Sequence, residues 1–210
     1  MRFDVEAQLN AAARCVSSLE RDGESVHAVT IDRSYSTTAE DLWDAVTNGQ
    51  RISRWFLPIS GDLKLDGRYQ LEGNAGGVIT ACRRPSQFEA TWEFDGDVSW
   101  VELDISEDGN GDPRLSLTHT ARHSPHWDEF GPGAAGVGWE MGLLGLFFHI
   151  ENRTEPKLDE AAFAVSPEGK AYIAGSSRGW EMAAVAAGTD PIAARAAAVR
   201  TAAFYTGESA

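Results

Sequence analysis

One segment in the second half of the chain, residues 137–150, is apolar almost all the way round a predicted helix. Its large side chains follow the spacing of three and four that stacks residues along a helix. They form two neighbouring lines: Val137, Met141, Leu144 and Phe148, and Trp139, Leu143, Leu146 and Ile150. A helix with two apolar faces must be enclosed by other elements. Because it follows a series of alternating segments, the simplest enclosure is a curved antiparallel sheet wrapped around it.

Alternation of apolar and polar residues predicts the strands of that sheet. In residues 87–94, Phe88, Ala90, Trp92 and Phe94 share one face, which is typical of a strand with one buried and one wet side. Similar segments separated by glycine- and aspartate-rich turns predict six or seven strands in an antiparallel meander. Two short helices follow the first strand, and the spacing in residues 37–40 is that of a capping box.

Both ends of the chain differ in pattern from this central part. Apolar residues spaced by four and three between Val5 and Leu19 predict an amphipathic helix, so we assign residues 1–24 to an N-terminal helix. We assign residues 25–152 to the main domain. Residues 153–210 are rich in alanine and predict a helical C-terminal extension that packs on the main domain. A homodimer formed through the terminal helices stays open.

Composition narrows the class of partner. The chain has 32 acidic and 18 basic side chains and a net charge of -14, which argues against nucleic acid as a partner. Its two cysteines, Cys15 and Cys82, indicate no disulfide framework and suit a reducing cytoplasm. Charged residues stand where a signal peptide needs apolar ones, and no segment reaches the roughly 18 apolar residues of a membrane span. We expect a soluble cytoplasmic protein that does not insert into membranes.

Motifs for metal binding or catalysis are weak. His119 and His123 share a strand face, but residues four apart on a strand are about 13 Å apart, too far for one ion to bridge. Residues 108–112 copy the start of a calcium loop, yet Pro113 replaces the glycine that such a loop needs. The cysteines and serines have no diagnostic neighbours for a nucleophile. We therefore expect no metal and no cofactor, and we lean against an enzyme.

Two polar residues share the strand face of apolar neighbours and should point into the interior. Arg33 has the parity of Ile31, and His119 has the parity of Leu117. A buried charge or imidazole needs a partner, which is either a structural group or the polar end of a ligand. For Arg33 a structural carboxylate is favoured, whereas for His119 both interpretations stay open.

The order of several short motifs resembles a known family. These motifs are Arg33, residues 42–47, 54–58, 66–69, 77–79 and 85–92, and the helix with Gly138, Trp139, Leu143 and Leu146. Over residues 26–152 they resemble bacterial homologues of the C-terminal domain of the heat-shock-protein-90 ATPase activator, in the helix-grip (SRPBCC) superfamily of START domains, the birch pollen allergen and polyketide cyclases. Asp66 replaces a glycine that is frequent in that family. The alanine-rich tail resembles an extension of actinobacterial relatives.

The resemblance implies an α+β helix-grip fold with a pocket for an apolar or amphipathic small molecule between the sheet and the last helix. It implies no shared catalytic residues, because members of one fold differ in chemistry. Our first hypothesis is an intracellular binding protein for a lipid- or polyketide-like compound. The expected ligand-binding residues are Arg33, Trp55, Phe56, Tyr69, Trp92, His119, Trp139 and Leu143.

Two alternatives stay open. The chain could be a cyclase- or aromatase-like enzyme with His119 as its acid-base group and Arg33 or Arg54 as the residue that orients a carbonyl or carboxylate. It could also be a protein-interaction module of the co-chaperone kind, which its acidic surface favours.

Overall fold

The computed structural model describes residues 3–208. The outermost two residues at each end, which belong to the predicted N- and C-terminal segments, lie outside the described residues. The elements, in chain order, are α1 (Val5–Asn10), β1 (Ala13–Arg21), β2 (Glu24–Ser34), α2 (Ala39–Thr47), α3 (Gly49–Ile52), β3 (Ile59–Gly61), β4 (Arg68–Leu71), β5 (Gly76–Arg83), β6 (Gln87–Phe94), β7 (Asp97–Glu107), β8 (Pro113–Arg122), α4 (Pro125–Phe130), α5 (Gly133–Glu151), α6 (Glu160–Val165), α7 (Pro167–Ala186) and α8 (Pro191–Thr206).

The strands form one open antiparallel sheet in the order β1-β2-β8-β7-β6-β5-β4-β3. From β3 to β8 the chain is a meander in which each strand pairs with the next. The predicted α+β fold with an antiparallel sheet and one long late helix is confirmed. The predicted count of six or seven strands is too low, because the sheet has eight.

The N-terminal helix that we predicted is wrong beyond Asn10. Helix α1 ends there, and Ala13–Arg21 forms β1 instead. The turn that follows explains the difference, since Asp22 and Gly23 both have positive φ, 53° and 81°. An Asp-Gly pair in this conformation joins two antiparallel strands in a tight hairpin. The spacing of apolar residues from Val5 to Leu19 fits a helix although the helix ends at Asn10. Cys15 therefore lies in a strand.

Helix α5 runs from Gly133 to Glu151 and contains the predicted apolar segment. By length and composition it is apolar enough to cross a membrane, but 67% of that stretch is buried inside the protein. This burial is typical of the core helix of a soluble fold. The preceding Pro125–Phe130 segment is helix α4, and the Ser124 side chain caps it.

Two compact units make up the chain. The first contains the chain up to Ile31, Arg122–Met141 and the chain from Leu158 onward, and the second contains Asp32–Ala121 and Gly142–Lys157. In the first unit, α7 packs against β1, α1, α6 and α8, and Tyr172 and Trp180 are fully buried. Helix α7 begins at Pro167, within the extension that we predicted to be helical.

The second unit is built on strands β3 to β8. Its core cluster consists of Tyr69, Leu71, Ile79 and Ala90, with Phe56, Leu57, Ile59, Leu63, Phe88 and Trp92 packed against it. Helix α2 packs against β7. The part of α5 that belongs to this unit contributes Leu143, Leu144 and Leu146, which are fully buried.

Candidate functional site

The register of the second unit places Ser99 on the same sheet face as two predicted inward residues, Trp92 and His119. Trp92 on β6 pairs with Ser99 on β7, and Val101 on β7 pairs with His119 on β8. Directly paired residues lie on the same face of a sheet, and this face alternates along each strand. Trp92, Ser99 and His119 therefore share one face, which we call the inner face. It consists of every second residue in Phe88 to Trp92, Ser99 to Ile105 and Leu115 to His119.

His119 and Ser99 form a hydrogen-bonded pair on the inner face, with 2.8 Å between Nε2 and Oγ. The ring centroids of His119 and Trp92 are 6.0 Å apart and tilted by 55°. Burial lowers the pKa of His119 to about 4, because desolvation disfavours the imidazolium. At neutral pH this imidazole is uncharged, so it can both donate and accept a hydrogen bond.

The other aromatic side chains of the second unit differ in accessibility. Tyr69 is buried, and its hydroxyl donates a hydrogen bond of 2.7 Å to the Thr91 carbonyl. Trp55 is also buried, and its indole N–H donates to the Ala45 carbonyl at 2.9 Å. Phe56, Phe88 and Trp92 are only partly buried although they pack on the core cluster. Backbone carbonyls therefore satisfy the polar atoms of Tyr69 and Trp55, whereas the rings of Phe56, Phe88 and Trp92 keep some exposed surface.

Arg33 points inward, as its parity predicts, and is 3% exposed. Its guanidinium carbon lies 4.8 Å from the ring centre of Phe147 and 5.6 Å from that of Tyr35. Such contacts stabilise a desolvated cation through the negative faces of the rings. The Tyr35 hydroxyl donates to the Leu143 carbonyl at 3.3 Å, and burial raises the pKa of Tyr35. Our carboxylate prediction for Arg33 did not foresee these aromatic neighbours.

The eight predicted ligand-binding residues thus divide into groups. Phe56, Tyr69 and Trp92 belong to one cluster, with Trp55 in ring contact with Phe56 and His119 near Trp92. Arg33 and Leu143 are joined through Tyr35, whereas Trp139 belongs to the first unit and is partly buried. Arg54, the alternative orienting residue of the enzyme hypothesis, is exposed. Ser99 was missed, although its parity with Val101 was visible in the sequence.

A second cluster of polar and aromatic side chains lies in the first unit. His27 Nε2 and His123 Nδ1 are 3.1 Å apart, and His123 Nε2 lies 3.2 Å from a carboxylate oxygen of Asp128. The ring of Trp127 stacks on His27 at 4.1 Å between centroids. Desolvation and the nearby His123 lower the pKa of His27, and Asp128 opposes them. This arrangement attaches α4 to β2.

His119 and His123, which we considered as metal ligands, do not belong to the same unit. His119 belongs to the second unit and His123 to the first, and His126 packs on Phe130 with ring centroids 4.7 Å apart. Within residues 3–208 no group of three or more histidine, cysteine or acidic side chains is arranged to hold a metal ion.

Sequence comparison identifies the family. The profile described as "Activator of Hsp90 ATPase homolog 1-like protein" matches residues 36–146, more than half of the chain. The chain belongs to this family. The matched residues of the Activator of Hsp90 ATPase homolog 1-like domain include Trp92, Ser99 and His119. No curated protein matches the chain.

Solved structures agree with this assignment. The crystal structure of CalU16 from Micromonospora echinospora is 32% identical, with a TM-score of 0.59, over 68% of this chain and 88% of that one. The solution structure of CalU16 gives 28% identity, a TM-score of 0.68 and coverage of 84% and 97%.

Two more distant structures show likeness of fold alone. DynU16, a protein in the dynemicin biosynthetic locus, is 17% identical with a TM-score of 0.55 over 63% of this chain and 50% of that one. The Aha1 dimer from Colwellia psychrerythraea is 14% identical with a TM-score of 0.50 over 61% and 98%.

Proposed function

We propose that the chain is a cytoplasmic binding protein for a hydrophobic small molecule of the lipid or polyketide-like kind. The ligand lies against the inner face of the second unit, along the partly buried rings of Phe56, Phe88 and Trp92. Of these rings, Trp92 lies 6.0 Å from the His119 ring, and His119 pairs with Ser99. Sites for small molecules are typically apolar with a few convergent polar groups. The observation that carries the proposal is the presence, on one sheet face, of incompletely buried aromatic rings and one partly buried polar pair.

Membership of the Activator of Hsp90 ATPase homolog 1-like family supports a ligand-binding role, but it does not identify the ligand. DynU16 lies in the dynemicin biosynthetic locus, and this location is a property of DynU16. For the present chain it motivates the inclusion of polyketide compounds among the ligands to be tested. Aha1 from Colwellia psychrerythraea is a dimer, which keeps a homodimer among the expected states of this chain.

An acid-base enzyme is the weaker candidate. General acid-base catalysis is most efficient when the pKa of the group lies near the working pH. Burial holds the pKa of His119 at about 4, so at neutral pH the imidazole is a poor acid and a weak base. The Ser99 hydroxyl lies 2.8 Å from its Nε2, so this nitrogen already has a partner in the protein.

The test begins with native mass spectrometry of protein purified from its own host, compared with the same sample after denaturing extraction. We expect a stoichiometric apolar compound, and the same spectrum reports whether the protein is a dimer. Trp92→Ala should weaken binding of that compound by about 10-fold, because one aromatic contact face is lost. Phe204→Ala is the matched control, since Phe204 is 60% exposed and belongs to the first unit.

Two results would contradict the proposal. One is an empty protein that shows no thermal shift across a panel of lipids and aromatic polyketides. The other is equal loss of binding in Trp92→Ala and Phe204→Ala. An empty protein that captures a second protein chain would move the assignment to an interaction module.

A further inference from the structure

The inner face of the second unit is almost devoid of charge. Over Tyr69 to Leu71 of β4 and the inner-face stretches of β6, β7 and β8, the polar side chains on that face are those of Tyr69, Ser99 and His119. The apolar ones are Leu71, Phe88, Ala90, Trp92, Val101, Leu103, Ile105, Leu115 and Leu117. Asp97, which follows the same parity beyond Ser99, is exposed at the hairpin end and carries a negative charge. These described stretches of β4, β6, β7 and β8 thus contain no cation beside the His119–Ser99 pair. The exposed Lys157 ammonium donates to the backbone carbonyl of Phe56, outside these strands.

The buried cation of the second unit is enclosed by rings. Arg33 is 3% exposed, and Phe147 and Tyr35 lie against its guanidinium. A guanidinium so covered presents almost no surface to an incoming group. An anionic head group would therefore gain little from Arg33 while it loses its own hydration.

The hydrogen-bonding groups of the His119–Ser99 pair suit a ligand group that carries no charge. A serine hydroxyl has one donor and two acceptor lone pairs, and an uncharged imidazole has one donor and one acceptor, so together they match a hydroxyl, a phenol or a carbonyl. Burying such a group costs little when its hydrogen bonds are satisfied, whereas burying an unpaired carboxylate or phosphate is expensive. The low pKa of His119 has the same physical origin, since burial disfavours the charged ring.

We infer that the ligand of this site has an uncharged polar end, a hydroxyl, phenol or carbonyl, that hydrogen-bonds to the His119–Ser99 pair, and that free carboxylic acids and phosphates are excluded. This inference rests on the proposed function and narrows it. It separates neutral aromatic or aliphatic compounds from fatty acids and phospholipids, which are equally apolar over most of their length.

The test uses a matched pair of probes, dodecan-1-ol and dodecanoate, measured by isothermal titration calorimetry near neutral pH with the full chain. We expect the alcohol to bind at least about 10-fold more tightly than the acid anion. In His119→Leu the alcohol should lose about 10-fold, because one hydrogen bond is gone, while the affinity for dodecanoate stays unchanged. Circular dichroism checks that His119→Leu is folded, and Ser99→Ala provides a second variant should it not be.

The outcomes separate this inference from the proposed function. Equal or tighter binding of dodecanoate overturns the neutral-ligand inference while a hydrophobic site remains. An equal loss of both probes in His119→Leu also overturns it, because the pair would then act through packing alone. Binding of neither probe, together with an empty ligand panel, overturns the proposed function and the inference with it.

Discussion

Two nitrogens of the Arg14 guanidinium donate hydrogen bonds to the two oxygens of the buried Glu140 carboxylate in the first unit. Arg14 Nε lies 2.6 Å from Glu140 Oε1, and Nη2 lies 2.6 Å from Oε2. The Glu140 side chain is 1% exposed and the Arg14 side chain 12%. The backbone carbonyl of Ala12 accepts a further hydrogen bond from Arg14 at 3.1 Å. A glutamate inside an apolar helix is tolerated only with a partner of this kind, so the pair ties α5 to β1.

Arg14→Ala should lower the free energy of unfolding by about 3 kcal/mol, because it leaves the Glu140 carboxylate buried without its cation. Urea denaturation followed by circular dichroism measures the change. Arg122→Ala is the matched control, since the Arg122 pair with Glu24 is exposed, with side-chain exposures of 48% and 61%. The control should change stability by at most about 0.5 kcal/mol. Similar losses in the two variants would contradict the assigned role of burial.

Gly136→Ala should also destabilise the first unit. A Cβ atom at Gly136 would lie 2.1 Å from the Trp180 ring, which is 1% exposed and has no room to move. Overpacking of this kind costs about 1–3 kcal/mol, which outweighs the gain of up to about 1 kcal/mol that alanine brings to a helix. Gly109→Ala meets nothing within 4 Å and serves as the control in thermal denaturation. A stabilised Gly136→Ala variant would refute the close packing.

Local periodicity predicted what depends on one segment at a time. The apolar faces of α5, the inward parity of Arg33 and His119, and the strand at residues 87–94 all follow from spacing alone. Strand β1 was predicted as a helix because the spacing of its apolar residues also fits a helix. Its strand conformation depends on pairing within the sheet and on the turn at Asp22, and the spacing shows neither of these.

Partners distant in sequence were harder still. Arg14 and Glu140 are 126 positions apart, and no short motif links them. The rings beside Arg33 come partly from a helix more than a hundred residues later, where Phe147 looks like any other apolar residue. Ser99 is different, because the strand register that places it beside His119 was accessible from parity, and only its small size hid it.

Asp41 should make stability depend on pH at the acidic end. Burial alone would raise its pKa, but hydrogen bonds from Thr37, Arg51 and Arg153 outweigh burial and hold the pKa at about 2, below the ordinary 3.8. A depressed carboxyl pKa adds stability that is complete above pH 3.8 and is lost as the pH falls towards 2. Asp41→Asn should therefore cost about 2 kcal/mol at neutral pH and much less near pH 2.

Urea titrations at several pH values measure this difference. Asp62→Asn is the control, because Asp62 pairs with Lys64 and both side chains are more than half exposed. A cost of Asp41→Asn that persists undiminished at pH 2 would show that the side chain acts through packing rather than through its charge.

His119 should produce a separate dependence at mildly acidic pH. Its pKa is about 4 in the folded protein because of burial and 6.5 when exposed, so between these values the unfolded chain binds more protons. Stability should then fall by up to about 3 kcal/mol as the pH drops from 6.5 to 4. His27 and His149, whose pKa values are also lowered by burial, add to the same slope. His119→Gln should flatten it, whereas His126→Gln, at an exposed position, should not. Direct titration of the His119 ring by NMR measures its pKa. A midpoint near 6.5 would mean that the imidazole is open to water. The inner face would then not be the dry surface that a hydrophobic ligand requires.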